Sequence, residues 1–147
     1  MSLLPRKGLL AIAAVVDVAL NARERPVSAK ALASRHGLPP RHLEPVLQAL
    51  VHDGILRGVR GPHGGYALAR ERDCIGIDEI VRAAASVRDH DEDAIASRLI
   101  AEVVSPAVAE AERAFSGALS RIIVDDLARQ VEAGGRSAGS AEIDFTI

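Results

Sequence analysis

The chain has 147 residues, enough for one domain with one appended element, and 48% of them are hydrophobic, which argues against wholesale disorder. Its single cysteine, Cys74, excludes an internal disulfide framework and any metal or cluster site built from several cysteines of this chain. The net charge of −2 is the sum of two unequal halves: residues 1–72 hold 11 Lys+Arg and 5 Asp+Glu, a balance of +6, whereas residues 73–147 hold 7 and 15, a balance of −8. A basic front half beside an acidic back half suggests that one part of the protein faces a polyanion.

The first predicted element is a helix from Lys7 to Leu20, whose apolar residues cover most of its surface and indicate a buried position. The basic pair before the apolar run also imitates the start of a secretory signal peptide. Asp17 interrupts that run and no small-residue cleavage site follows cleanly, so a core helix is favoured. No stretch approaches the ~18 consecutive apolar residues that a membrane span needs. We therefore expect a cytoplasmic protein without a membrane segment, and the low cysteine content fits a reducing compartment.

A short helix over residues 29–36 is predicted next. Ser28 is a residue type that caps helix N-termini, and Gly37 fits the position where a helix ends in left-handed backbone. The connection Leu38–Pro40 then leads to a second helix, which runs to about Val51.

This second helix has one apolar side and one polar side. Its core stripe follows the i, i+3, i+4, i+7 spacing and consists of Leu43, Val46, Leu47 and Leu50. The residues on a different face are Arg41, Glu44, Gln48 and His52. Pro45 leaves the start of the helix open. A helix that begins near His42 places this proline in the first turn, whereas one that begins at Pro40 predicts a bend.

Two short strands, over 55–59 and 66–69, are predicted around the turn 61–65, and together they form a hairpin. The glycines of the turn allow a close approach to another backbone, and Pro62 stiffens it. A further short helix follows, with apolar positions Ile77, Ile80, Val81 and Ala84.

An acidic run over 89–93 separates this first half from a long predicted helix. Ser105 and Pro106 provide an N-cap and a first-turn proline, and the helix continues to about Val131. A long helix with an apolar seam needs a partner surface, and a second copy of the chain is the simplest one. Residues 134–147 are expected to form a flexible tail. The seam comprises Val108, Ala111, Phe115, Leu119, Ile122, Ile123 and Leu127.

Two short helices followed by a hairpin predict a winged helix-turn-helix, in a fold that is mainly α with a small β wing. We assign residues 1–86 to this domain and residues 87–133 to a linker and a long dimerisation helix. The physical chemistry suits DNA, because the second helix is narrow enough for the major groove. Its side chains that can meet base edges are Arg41, His42, Glu44 and Gln48.

Two other positions support DNA binding. The capped helix N-terminus at Ser28 offers free N–H groups to a phosphate. Arg60, at the lip of the hairpin, is placed to enter the adjacent minor groove, where an arginine senses narrow and negative A·T-rich segments.

Four stretches make a family resemblance specific: "KGLLAIAAVVDVALN", "HLEPVLQALVHDGIL", "VRGPHGGYALAR" and "IGIDEIVRAA". In this combination the chain resembles the Rrf-type winged-helix regulators, which include an iron–sulfur-cluster regulator and a nitric-oxide-sensing repressor. The resemblance covers about Lys7–Ala85. It implies a homodimeric bacterial transcription factor, more often a repressor, which pairs through the long helix and binds a palindromic site on double-stranded DNA.

Carried over by position, the resemblance implies that Arg41, His42 and Glu44 lie on the base-reading helix. It implies phosphate contacts at Ser28 and Lys7. Leu10 stands where a tyrosine is common in the family, which puts a polar role of that position in doubt. The remaining DNA-facing candidates are Gln48, Arg60 and His63, and the dimerisation candidates are Val108, Phe115, Leu119, Ile122 and Ile123.

The larger difference between this chain and the family pattern concerns the sensing of a signal. Many members of the family bind an iron–sulfur cluster through three cysteines just before the long helix, and here the region 87–105 holds none. Thiolates are the usual cluster ligands, and Cys74 lies outside that region, just after the wing. We therefore predict a cluster-free protein, with no cofactor and with an effector of unidentified chemistry.

Other functions remain open at this stage. One is a metal- or redox-responsive sensor with unusual ligands such as His90, Asp91 and Cys74, and another is a winged-helix module that binds proteins and not DNA. An enzyme is not expected, because the chain has no phosphate loop, nucleophile elbow or metal-ligand motif.

Several single residues also have an interpretation without a functional role. Glu44 can pair with Arg41 on its own helix, and His42 and His63 can be plain surface residues. The acidic run around His90 is more typical of a solvated loop than of a metal site. Cys74 is expected to be a partly buried small residue, with a redox role as the alternative.

Overall fold

The computed structural model describes residues 3–87 and 98–137. It is mostly helical with one two-stranded antiparallel sheet, which confirms the predicted fold class. In chain order the elements are α1 (Arg6–Asn21), α2 (Ala29–His36), α3 (Pro40–His52), β1 (Leu56–Val59), β2 (Gly65–Leu68), a 3₁₀ turn (Arg72–Cys74), α4 (Ile77–Ala85), a π-helical segment (Ile100–Val104), α5 (Ser105–Ser120) and α6 (Val124–Ser137).

Helix α1 is the central core helix that its composition predicts. Ala11 and Val15 are fully buried, and the helix packs against α3, α4 and the sheet. The small and β-branched side chains of this helix allow close packing in a core that contains almost no aromatic residues. None of the helices within the described ranges has the length and apolar character needed to cross a membrane.

The helix-turn-helix forms as its capping residues predict. The Ser28 hydroxyl accepts a hydrogen bond from the backbone N–H of Ala31 at 3.0 Å, and Gly37 adopts left-handed backbone with φ of 63°. These contacts satisfy backbone groups that a short helix leaves without partners at its ends. Helix α3 begins at Pro40, so Pro45 lies inside the helix and not in its first turn.

Strands β1 and β2 pair from Leu56 opposite Leu68 to Val59 opposite Gly65, and three of their four ends lie one residue away from the predicted bounds. The sequence did not reveal a third segment that joins them. Val27, just before α2, forms an antiparallel bridge with Tyr66 through two backbone hydrogen bonds of 2.9 and 2.8 Å. This bridge ties the wing to the start of the helix-turn-helix.

The predicted continuous helix from Ser105 to about Val131 is wrong, because the chain leaves helical backbone between α5 and α6. The backbone N–H of Ile77 donates to Ile122 O, and that of Val124 donates to Ile75 O, both at 2.9 Å. The Asp126 carboxylate accepts a hydrogen bond from the Ile123 N–H at 3.1 Å, at the start of α6. Pairing with a distant segment therefore interrupts a pattern that is locally helical.

Helix α6 returns to the core instead of extending the seam. Val124 and Ala128 are fully buried, and Leu127 and Val131 pack against the same core. The helix continues to Ser137, so the first four residues of the predicted flexible tail are helical, and the others lie outside the described residues.

Arg72 fastens α6 to the rest of the molecule. Its guanidinium contacts Asp125 at 2.7 Å and Glu132 at 2.7 Å, and its side chain is 22% exposed. Burial by itself lowers the pKa of Arg72, but the hydrogen bonds to Glu132 and Asp125 outweigh it and raise the pKa above its ordinary value. The ion pairs therefore hold a permanent charge between the 3₁₀ turn and α6.

Candidate nucleic-acid interface

The exposed face of α3 carries the residues that the sequence assigns to base reading. Leu43 and Leu47 are fully buried on the opposite side of the helix, because the apolar stripe follows the helical period. No ion pair joins Arg41 to Glu44 in the part of the chain that the structure describes, so the alternative of a local pair is not realised. All four predicted side chains are exposed: Arg41, His42, Glu44 and Gln48.

The wing presents its predicted residues at the tip of the hairpin. Arg60 and His63 are both exposed. Gly61 has φ of 121°, a conformation that side chains rarely permit, and its carbonyl accepts a hydrogen bond from the Gly64 N–H at 2.9 Å. A tight turn therefore carries Arg60 at the edge of a short and well-paired ribbon.

The tip of the wing and the start of α2 enclose a polar cleft of about 460 Å³. Ser28 and His63 both line it, so the structure brings together two candidates that lie far apart in sequence. The positive end of the α2 dipole and the remaining backbone N–H groups of its first turn lie in this region. Arg25 and Arg35 add two cationic side chains to the lining.

Arg35 is a residue of this cleft that the sequence pattern did not indicate. Its guanidinium donates two hydrogen bonds to the carboxylate of Asp17, at 2.7 and 2.9 Å. The same carboxylate contacts His36 Nε2 at 2.9 Å and Asn21 Nδ2 at 3.0 Å. Asp17 is 3% exposed, and a buried charge of this kind needs partners. The one feature of the sequence that indicates such a cluster is Asp17 itself, a carboxylate within the apolar run of α1 that needs a cationic partner when buried.

Lys7 and Leu10 occupy positions in the body of the domain. The Lys7 ammonium donates a hydrogen bond to the carbonyl of Val87 at 2.5 Å, which ties the start of α1 to the segment just after α4. Leu10 packs, half-buried, against the core. The phosphate contact at Lys7 thus stays a prediction, for a side chain that already has a partner within the fold.

The predicted dimerisation residues fall in two places. Val108, Phe115 and Leu119 lie on α5, none of whose residues is fully buried. Ile122 and Ile123 lie in the break after α5, and their backbone pairs with the segment before α4, so they do not continue one helical seam. Large apolar side chains exposed from just before the π-helical segment into α5 are Leu99, Ile100, Val103, Val104 and Val108.

Cys74 is exposed at the end of the 3₁₀ turn, so the expectation of a partly buried cysteine is wrong. Its Sγ contacts the carboxylate of Asp73 at 3.4 Å, and this hydrogen bond, with the charge of Asp73, raises the pKa of the thiol. A raised pKa lowers the fraction of reactive thiolate. His90 and Asp91 lie outside the described residues, and within the described ranges no cluster of His, Cys, Asp or Glu is suited to a metal ion.

Comparison with known proteins agrees with this architecture. The model of the Rrf2 family, described as an iron-dependent transcriptional regulator, matches residues 4–130. The HTH-type transcriptional regulator IscR of Escherichia coli is 36% identical over 80 residues, which are 54% of this chain and 49% of that protein. The match thus spans about half the length of these curated relatives.

Solved structures extend the likeness beyond the winged helix. IscR of T. potens is 28% identical and covers 95% of this chain and 92% of its own, with a TM-score of 0.68. CymR of B. subtilis, the global cysteine regulator, is 24% identical, and the likeness covers 88% of this chain and 98% of CymR, with a TM-score of 0.65. The second likeness shows the fold alone.

Proposed function

Because this chain belongs to the Rrf2 family of transcriptional regulators, which are not enzymes, we propose that it is a repressor that binds a palindromic operator as a homodimer. In this proposal α3 lies in the major groove, where Arg41, His42 and Glu44 contact base edges, with Gln48 beside them. Arg60 enters the adjacent minor groove, and the cleft at Ser28 holds a backbone phosphate.

The observation that carries the proposal is the common placement of the polar candidates outside the core. The exposed face of α3, the exposed wing tip and the cationic cleft between α2 and the wing belong to one helix-turn-helix and its hairpin. The excess of positive charge is in residues 1–72, which contain all of these elements. A polyanion that meets this surface releases counterions, so binding will weaken steeply with salt.

The homodimer is supported by the exposed apolar side chains before and along α5. Val103 and Val104 are 58% and 44% exposed, and Val108 is 44% exposed. Apolar side chains clustered on neighbouring exposed elements are typical of an interaction surface. A two-fold dimer places two recognition helices on half-sites about one helical turn apart, or a multiple of that distance.

The family description names iron, and the donor set of this chain does not fit an ordinary cluster. Residues 87–105, which follow α4, contain no cysteine. Cys74 precedes α4, and the hydrogen bond to Asp73 raises the pKa of its thiol. We therefore propose a member without an iron–sulfur cluster. Iron and sulfide analysis of protein purified without oxygen tests this, and stoichiometric iron would overturn it.

The function itself is tested by selection of genomic DNA fragments with the purified protein, followed by sequencing. Enrichment of one palindromic site is the expected result, with an affinity that falls as salt rises. Unselective binding would contradict the proposed base reading by α3. A complete failure to bind DNA would favour a protein-interaction module.

The dimer is tested separately by light scattering. Val108→Asp places a charge on the exposed apolar face, and we expect it to shift the protein to the monomer. Arg113→Asp, on the same helix, provides a control for a new carboxylate. An unchanged dimer in the Val108 variant would place the interface elsewhere.

A further inference from the structure

A second cleft, which we call the arginine cleft, lies between the last turns of α1 and strand β2 with the segment that follows it. It is bounded by Ala19 of α1, Ala22 just after that helix, Ala67 of β2, and the arginines at positions 23, 57, 70 and 72. Its volume of about 570 Å³ lies within the range of ~300–1,000 Å³ that small-molecule sites occupy. None of the residues assigned to DNA binding lines it.

The floor of the arginine cleft is apolar and built from small side chains. Ala19 and Ala67 are each 8% exposed, and Val18 beside them is 1% exposed. Alanine on both α1 and β2 leaves space between two elements that are otherwise in contact. Such a floor offers burial to a short hydrocarbon group, and each buried methylene contributes about 0.8 kcal/mol.

The rim of the cleft carries four arginines, of which two are already paired. Arg70 contacts Glu79 at 2.9 Å, and Arg72 contacts Asp125 and Glu132. Arg23 and Arg57 are exposed and have no ion pair with any residue in the described ranges 3–87 and 98–137. Glu71 is the one acidic residue in the lining. The cleft therefore has an excess of cationic donors above an apolar floor.

We propose that the arginine cleft binds a small carboxylic acid, with the carboxylate held by Arg23 and Arg57 and a short hydrocarbon body on the alanine floor. Guanidinium groups form charge-assisted hydrogen bonds with carboxylates, often through two parallel N–H donors. The floor favours this ligand over inorganic anions, which present no apolar group to it.

The position of the cleft makes this ligand the effector of the regulator, a role that rests on the proposed function. Arg57 belongs to the wing strand β1, and Arg23 lies in the connection from α1 that leads to Val27 and Ser28. Val27 is paired with the wing at Tyr66, and Ser28 caps α2. A carboxylate that contacts both Arg23 and Arg57 thus affects the distance between the wing and the helix-turn-helix. If the ligand binds more tightly at one such distance, it changes the affinity for DNA by the ratio of its affinities for the two arrangements.

Isothermal titration calorimetry of the full chain, without DNA, tests the site. The probes are butyrate, hexanoate, benzoate and phenylacetate, each paired with its uncharged amide. We expect at least one acid to bind, and its amide to bind at least about tenfold more weakly. The double variant Arg23→Gln/Arg57→Gln should weaken the acid by about tenfold for each arginine.

The matched control is Arg82→Gln/Arg98→Gln, which removes the same charge at side chains that are 70% and 90% exposed and lie outside the cleft. It should bind the acid like the wild type. Binding of none of the four acids, or equal binding by the two double variants, would overturn the site. If Arg23→Gln/Arg57→Gln lowers DNA affinity and no acid binds, the arginines are DNA contacts instead.

The effector role has its own measurement. With the selected operator, the binding acid should change the dissociation constant for DNA at least about fivefold in the wild type and not in the Arg23→Gln/Arg57→Gln variant. A wild type that binds the acid but no DNA would refute the proposed function and leave the site standing. A wild type that binds the operator equally with and without the bound acid would refute the effector role.

Discussion

Both oxygens of the Asp17 carboxylate, buried in α1, accept hydrogen bonds from Arg35 on α2, at 2.7 and 2.9 Å. The two residues differ in exposure: the Asp17 side chain is 3% exposed and that of Arg35 is 44% exposed. The buried carboxylate therefore fixes the side chain of Arg35, which also lines the cleft beside Ser28 and His63. A core charge thus orients a residue of the candidate DNA surface.

Replacement of Asp17 by Asn should destabilise the fold strongly. The carboxylate is the shared acceptor for Arg35, His36 and Asn21, and an amide at this position replaces one acceptor oxygen by a donor and leaves Arg35 without its buried anionic partner. We expect a loss of about 3 kcal/mol in the free energy of unfolding, measured by urea denaturation. Arg35→Gln should cost clearly less, because Arg35 is partly solvated and the carboxylate keeps two partners. Equal stability of Asp17→Asn and the wild type would contradict the role of this cluster.

Replacement of Gly65 by Ala should damage the wing. A Cβ at Gly65 would overlap the backbone carbonyl of Val27, which is paired with Tyr66, so the bridge between wing and α2 has to shift. Overpacking against backbone costs ~1–3 kcal/mol. Gly58→Ala is the matched control in the same hairpin, because a Cβ there meets no atom within 4 Å. Thermal unfolding should separate the two variants, and similar melting temperatures would contradict the close approach at Gly65.

Glu79 should make stability depend on pH. Its carboxylate accepts a hydrogen bond from the Gly76 N–H at 3.0 Å and pairs with Arg70. The hydrogen bond from Gly76 lowers the pKa of Glu79 below its ordinary value of 4.5 and, with Arg70, outweighs the opposing effect of burial. A lowered pKa in the folded state means that the stabilisation is complete above pH 4.5 and is lost as the pH falls through the folded pKa.

The measurement compares Glu79→Ala and Glu79→Gln with the wild type by urea denaturation between pH 3 and pH 7. The alanine variant should lose about 1 kcal/mol at pH 7, because the helix start at Gly76 loses its acceptor. The glutamine variant keeps an acceptor and should lose less, and its deficit should vanish at the acid end. A deficit that stays constant over this range would contradict the assignment.

Arg60→Ala should weaken binding to the selected operator about tenfold or more without unfolding the domain. The side chain is exposed at the wing tip and makes no contribution to the core. An arginine in a narrow minor groove loses a favourable electrostatic interaction when it is truncated. Fluorescence anisotropy with labelled operator measures the loss, and Arg82→Ala, on exposed α4 surface, is the control. Unchanged operator affinity would remove Arg60 from the interface.

The local elements of the winged helix were determined by the sequence itself. Ser28 and Gly37 bound α2 because capping and left-handed backbone depend on residues next to them in the chain. The stripe from Leu43 to Leu50 identified the buried and exposed faces of α3, since helical periodicity is a local property. The glycine-rich turn located the wing for the same reason.

The tertiary structure decided what depends on distant partners. The break between α5 and α6 exists because the backbone of residues 122–124 pairs with residues 75–77, which no local pattern reveals. Arg35, Arg72 and the arginine cleft acquire their roles from carboxylates or surfaces on other elements. Periodicity and capping act over one or two helical turns, whereas ion pairs, clefts and bridges join residues tens of positions apart, and only the folded chain brings these together.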